Sequence, residues 1–169
     1  MVKAGWGQEV AALRGGEIDI AVVWQPQDLN GLASAELTTE ARYIGLPAAH
    51  PLAGRESLSI LEVKDVALTW TRQAPPEWVS WWAVDPRPDG SRAVYGAENR
   101  SVEEQLDNVA SGNGAAISPA SMAAFYVRPD LRWSPLRDVE PLRIDLAWNS
   151  DERNPVIGRF VEIARATRS

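Results

Sequence analysis

The sequence has no cysteine. That excludes disulfide frameworks, thiolate zinc sites and thiol nucleophiles. It has one histidine, His50, so multi-histidine metal sites fall away and a single imidazole base is left. Positive charge is scarce: Lys+Arg 17 against Asp+Glu 23 gives a net charge of −6. Such a balance argues against an electrostatic grip on nucleic acid or on an anionic membrane. No apolar run reaches the roughly 18 residues a membrane span needs. The opening segment, Met-Val-Lys-Ala-Gly-Trp-Gly-Gln-Glu, lacks the apolar core of a secretory signal. These absences lead to the expectation of a soluble, cytoplasmic α/β protein.

The apolar pattern supplies the elements. Val2, Trp6, Val10 and Leu13 form one helical stripe. Gly15-Gly16 stops it, because glycine readily takes the left-handed state at a helix end. Ile18–Trp24 reads as a buried strand and, with that helix, as half of a parallel βαβ unit. Strand-like stretches follow at Leu32–Leu37 and Arg42–Leu46, with Thr38-Thr39-Glu40 as a turn. His50–Gly54 is a loop, Ser57–Asp65 a short helix and Val66–Thr71 a strand. Pro75-Pro76-Glu77 opens a helix that carries Trp78, Trp81 and Trp82 on one side. Asp85–Arg92 is turn-rich and precedes a strand near Ala93–Gly96.

The sharpest local signal is Ser101-Val102-Glu103-Glu104, a capping box in which hydroxyl and carboxylate each satisfy a free backbone N–H. Val102, Leu106, Val109 and Ala110 are the apolar stripe of the helix it starts, and Gly112-Asn113-Gly114 ends it. Ala115–Ile117 is a short buried strand, and Ser118-Pro119 begins a helix running through Phe125. Leu131–Pro135 and Leu142–Trp148 are strands. Asn154-Pro155 caps a last helix whose buried side is Val156, Ile157, Phe160, Val161 and Ala164.

Catalytic chemistry would have to be assembled from His50, carboxylates and hydroxyls. The sequence holds no G-x-S-x-G elbow. Glu103 and Glu104 fit the positive end of a helix better than an acid/base pair. Asp85, Asp89 and Asp107 show no metal-ligand spacing. Gly112-Asn113-Gly114 has no lysine and closes a helix, so it is not a phosphate loop. No catalytic set, metal or cofactor is therefore expected. Trp78, Trp81 and Trp82 read as core packing before they read as an aromatic pocket. The helix start at Ser101 is open to two readings: a small anion such as a carboxylate on its free N–H groups, or simple self-capping.

Four segments in register carry a resemblance. Gly15-Gly16-Glu17-Ile18-Asp19-Ile20-Ala21-Val22 resembles the L-x-x-G-x-L-D-L-A-I stretch of LysR-type transcriptional regulators. Leu46-Pro47-Ala48-Ala49-His50-Pro51-Leu52-Ala53 is similar to their L-P-x-x-H-P-L-A. Ser101–Glu104, leading through Val109–Gly114 to Ile117-Ser118-Pro119, resembles their S-x-E-E … V-A-A-G-x-G … P helix and strand. Leu146-Ala147-Trp148 and Pro155–Phe160 resemble their closing strand and helix.

The resemblance implies a periplasmic-binding-protein type II fold: two Rossmann-like lobes with mixed sheets and an effector cleft between them. Residues 1–25 and 142–169 would form a partial first lobe and 26–141 an inserted second. The chain would cross near 24–27 and 138–142, with Gln25 and Pro26 at the hinge. Effector-binding residues are expected to be Arg100, Ser101 and Val102 at the capped helix start and Ile117 and Ser118 at the strand end. Arg100 would pair with an anionic effector.

The family's helix-turn-helix and the opening βαβ-sized unit of its first lobe have no counterpart here. The resemblance therefore implies an N-terminally truncated effector domain making no direct DNA contact. Its partners would be a small anionic or aromatic effector and a second copy in a homodimer or higher oligomer. Closure of the lobes around the ligand would shift oligomer geometry. A transport solute-binding protein of the same fold is the first alternative. A small acyl-transfer or hydrolytic enzyme is the second, and it needs Ser101 or Ser118 close to His50.

Overall fold

A computed structural model describes residues 7–151 and 154–166. The described chain forms α1 (Glu9–Arg14), β1 (Ile20–Trp24), β2 (Leu32–Glu40), β3 (Arg42–Pro47), β4 (Leu68–Trp70) and α2 (Pro76–Ala83). It continues with β5 (Tyr95–Glu98), α3 (Val102–Ala110), β6 (Ala116–Pro119), α4 (Ala120–Phe125), β7 (Leu131–Pro135), β8 (Leu142–Asn149) and α5 (Pro155–Ala166). Two compact units result, one of residues 1–39 and 142–169 and the other of residues 40–141. The chain leaves the first unit after Thr39, not after Gln25, and returns at Leu142. Residues 26–39 stay with the first unit because β2 joins its sheet.

That sheet has the order β1-β8-β2, with β1 and β8 antiparallel and Val22 opposite Leu146. The expected parallel βαβ half is therefore corrected: the described partner of β1 is the antiparallel β8. Strand alternation sends its side chains to two faces. On one, Ala21, Val23 and Ala147 meet Val10 and Leu13 of α1. On the other, Leu146 and Ala35 meet Ile157 and Val161 of α5, with Ile20, Leu37 and Trp148 at the rim. The predicted α1 stripe holds at Val10 and Leu13; Val2 and Trp6 lie outside the described residues. Gly16, at φ 69°, supplies the left-handed residue that follows α1.

Several sequence expectations change. Thr38-Thr39-Glu40 is no turn but the end of β2, so β-branched threonine prevails there. The helix expected over Ser57–Asp65 is absent: Leu58 forms a parallel bridge with Leu136, and residues 60–65 make successive turns, with Glu62 N bonded to Ser59 O, Lys64 N to Leu61 O and Val66 N to Val63 O. The Ser59 hydroxyl donates to Asp138 and its N–H to Glu62, which anchors the start of these turns. The segment's apolar residues still reach the core, with Leu58, Ile60 and Val63 fully buried. On α5, Ile157 and Val161 are buried, but Val156 and Phe160 are exposed rather than buried.

In the second unit β3 is flanked by antiparallel β6 and β7, and β4 pairs in parallel with β5. A parallel bridge from Leu68 to Ala115 joins these two sheets, giving the order β5-β4-β6-β3-β7. Leu106 and Val109 of α3 pack on Ala116 and Leu131. Gly45 lies opposite Trp133, whose ring would be 2.7 Å from a Cβ at that position. Trp78 and Trp82 of α2 are buried, with ring centroids 5.5 Å apart. Core packing is thus what Trp78 and Trp82 do, whereas Trp81, expected with them, is only half-buried.

Candidate functional site

Strands β5 and β4 and the start of β6 run parallel, so their carboxyl ends lie side by side in the second unit. In open α/β sheets that edge is where ligands bind, because loops and helix N-termini converge there. The residues leaving these ends are Asn99 and Arg100 after β5, Thr71 and Arg72 after β4, and Ile117 and Ser118 within β6.

The backbone ties them together. Asn99 N donates to Trp70 O at 2.8 Å, and Thr69 N donates to Ala115 O at 2.8 Å. Gln105 Nε2 of α3 lies 3.5 Å from Thr69 Oγ1, which donates to Ala115 O. The expected residues Ile117 and Ser118 are buried on β6, with Ser118 opposite Tyr43 of β3. They lie in β6, which runs on to Pro119, so the helix expected from Ser118 starts only at Ala120.

At the start of α3 the capping box forms. Glu104 N donates to Ser101 Oγ at 3.1 Å, and Arg100 N donates to Glu104 Oε2 at 2.8 Å. The carboxylate therefore closes on the residue before the serine. Ser101 and Glu104 thus satisfy backbone donors at the helix start internally, which is the self-capping alternative. Arg100 is exposed. Beside it Arg72 clasps Glu98 through Nε at 2.6 Å, with its guanidinium 6.0 Å from the Trp70 ring. The Arg72 bond, with a further contribution from the charge of Arg100, holds the Glu98 carboxyl below its usual range.

Asn99 was not among the expected residues. It is 1% exposed, and its Oδ1 is buried with no hydrogen-bond partner. A buried acceptor left unpaired costs about 1–3 kcal/mol. The available signal was a polar side chain ending a strand just before a helix cap.

The other expected residues lie elsewhere. Gln25 is in the first unit, where its Nε2 donates to the buried Asp145 Oδ2 at 2.8 Å and its N–H to Arg143 O. Gln25 is thus held to β8 within one unit, and Pro26 follows it there; neither is at the division between units. His50 Nδ1 accepts from Leu52 N, and Ser101 Oγ from Glu104 N. Among the described residues no hydrogen bond joins His50 to either serine. Asp85, Asp89 and Asp107 are engaged by Arg92, Lys64 and Arg128.

Comparison with known proteins fits this arrangement. HTH-type transcriptional regulator BudR of Raoultella terrigena is 27% identical over 155 residues, covering 90% of this chain and 53% of that protein. HTH-type transcriptional regulator TdfR of Cupriavidus pinatubonensis is 27% identical, covering 94% and 54%. The chain thus spans about half the length of the curated relatives it matches. A mutant OxyR of Corynebacterium glutamicum superposes with a TM-score of 0.77 at 25% identity, covering 94% of this chain and 51% of that one. The BenM effector binding domain, solved with its effector benzoate, superposes with a TM-score of 0.78 at 21% identity, covering 98% and 76%. That likeness shows the fold alone, the periplasmic-binding-protein-like type II fold. Residues 2–169 match the LysR substrate binding domain, and the chain belongs to that family.

Proposed function

We propose that this chain is the effector-sensing part of a LysR-type transcription regulator and that it binds a small molecule without transforming it. The observation that carries this reading is the set of three parallel strand ends with the α3 start beside them, in a chain of this family. Arg100, Ser101, Val102, Ile117 and Ser118 lie at that edge. Arg100 is exposed and supplies a cation for an acidic effector. Val102, next to the cap, supplies an apolar contact. The rival enzyme reading needs a nucleophile–base hydrogen bond, and among the described residues none joins His50 to Ser101 or Ser118. The relatives named above are transcriptional regulators, which favours this reading over the transport one.

The relatives are regulators, so the whole protein would act on DNA through a region other than this negatively charged one, in the cytoplasm and as a homo-oligomer. Among the described residues no helix is long and apolar enough to cross a membrane. An aromatic carboxylate is the first probe, since benzoate is the effector of BenM. Calorimetric titration of this chain with benzoate should show saturable binding that weakens about tenfold in Arg100→Ala, the weight of one charge-assisted hydrogen bond. Unchanged binding in the variant would remove Arg100 from the site.

A further inference from the structure

The part of this strand edge that the fold leaves unexplained is Asn99. Its backbone N–H is committed to Trp70 O at 2.8 Å, which fixes the residue at the end of β5 against the end of β4. Its side chain is 1% exposed, yet Oδ1 has no donor. Buried polar groups in native proteins nearly always have a partner, and an orphaned one is a pointer to a water, an ion or a ligand. Nothing in the fold bonds to that acceptor, and leucine, which shares its branching though it is bulkier, would occupy the place without a polar atom. The neighbouring polar groups are already matched, with Thr71 Oγ1 accepting from Gln73 N, Ser101 Oγ from Glu104 N, and Thr69 Oγ1 donating to Ala115 O.

From this we infer that Asn99 is a specificity-determining residue whose side-chain carbonyl accepts a hydrogen bond from the effector. The effector then carries a hydroxyl, amine or amide N–H besides any acidic group. A site built around an acceptor discriminates strongly against analogues lacking the matching donor, because binding them leaves the acceptor unpaired. This inference rests on the reading of the chain as a small-molecule sensor, and it adds a donor to the effector's description.

The test uses the full 169-residue chain, wild type and Asn99→Leu, in two arms. In the first, benzoate and its three monohydroxy isomers are titrated calorimetrically. At least one hydroxylated isomer should bind wild type about fivefold more tightly than benzoate, the worth of one neutral hydrogen bond. That preference should vanish in Asn99→Leu. In the second arm the ligand-free proteins are unfolded in urea. The Asn99→Leu midpoint should equal or exceed that of wild type, since the amide makes no bond the fold needs. A lower midpoint, checked with Asn99→Ala to separate lost bonding from poor packing, overturns the inference whatever the probes do. So does a hydroxyl preference that survives in Asn99→Leu. So, too, does equal binding of all four probes, which leaves the carbonyl meeting only water. Failure of all four probes to bind wild type counts against the aromatic-acid reading instead, and the urea arm then decides the fate of Asn99 alone.

Discussion

Arg42 is a buried cation of the second unit. It is 3% exposed, donates from Nε to Glu140 O at 2.7 Å and from Nη1 to Trp81 O at 2.9 Å, and stacks 4.0 Å over the Trp81 ring. Trp81 Nε1 donates in turn to Glu140 Oε2. Burial draws the guanidinium pKa down to about 10 against the pull of Glu140, so it stays charged at neutral pH. Arg42→Met should destabilise the chain by about 2 kcal/mol, because two carbonyls lose their donors and the ring loses its cation. Arg42→Lys should recover only part of that, since lysine lacks the planar fork. Urea unfolding measures both. Nothing in the sequence singled out Arg42: a basic residue opening a strand reads as exposed until α2 and Glu140 close over it.

Glu9 gives a pH signature at the same scale. Its Oε2 is buried without a partner, and burial raises its carboxyl above the usual 4.5. Between that value and the raised one the unfolded chain has lost the proton while the native chain keeps it. The contribution of Glu9 to stability therefore falls as pH rises through this window. Glu9→Gln should remove that fall, so that variant and wild type converge at acid pH and diverge in favour of the variant toward neutrality. Urea midpoints measured across the window check it. An identical pH profile for the two proteins would exclude Glu9 as its source.

Elements were legible where one local device decided them. The Ser101 box forms as its spacing predicts, although the Glu104 carboxylate closes on Arg100 N. Ser101→Ala should cost about 1 kcal/mol in urea unfolding, the usual weight of an N-cap. Elements were misread where tertiary pairing decided them. Thr38–Glu40 looks like a turn until β8 offers β2 a partner. Val156 and Phe160 belong to an apolar pattern wider than the face of α5 that Ala35 and Leu146 cover. The pairing of Gly45 with Trp133 was also silent in the sequence. A methyl at Gly45 would press into the indole, and Gly45→Ala should destabilise by about 1–3 kcal/mol. Trp133→Leu in the same background should recover part of that loss if the clash is the cause. Additive costs would show that it is not.

At the scale of the whole chain, family and fold were readable because four motifs keep their order, and order survives where identity has dropped to about a quarter. The candidate site was half readable. Arg100, Ser101, Val102, Ile117 and Ser118 are expected from the resemblance and the capped helix start; in the structure the first three follow β5 and the last two lie in β6. Asn99 escaped because its significance lies in a partner it does not have, and a sequence records residues but not unmet hydrogen bonds. Gln25 was misplaced because its polar, proline-flanked setting resembles a crossing. The hydrogen bonds to Arg143 and Asp145 that keep it in the first sheet join residues far apart in the chain.

The central claim is that these strand ends hold a small molecule and leave it chemically unchanged. An amide NMR titration of the chain with benzoate and its monohydroxy isomers tests it directly. Saturable shifts should centre on Asn99–Val102 and on Ile117–Ser118, with the added acid recovered intact. Shifts confined to other parts of the chain, or an acid converted to product, would contradict the claim.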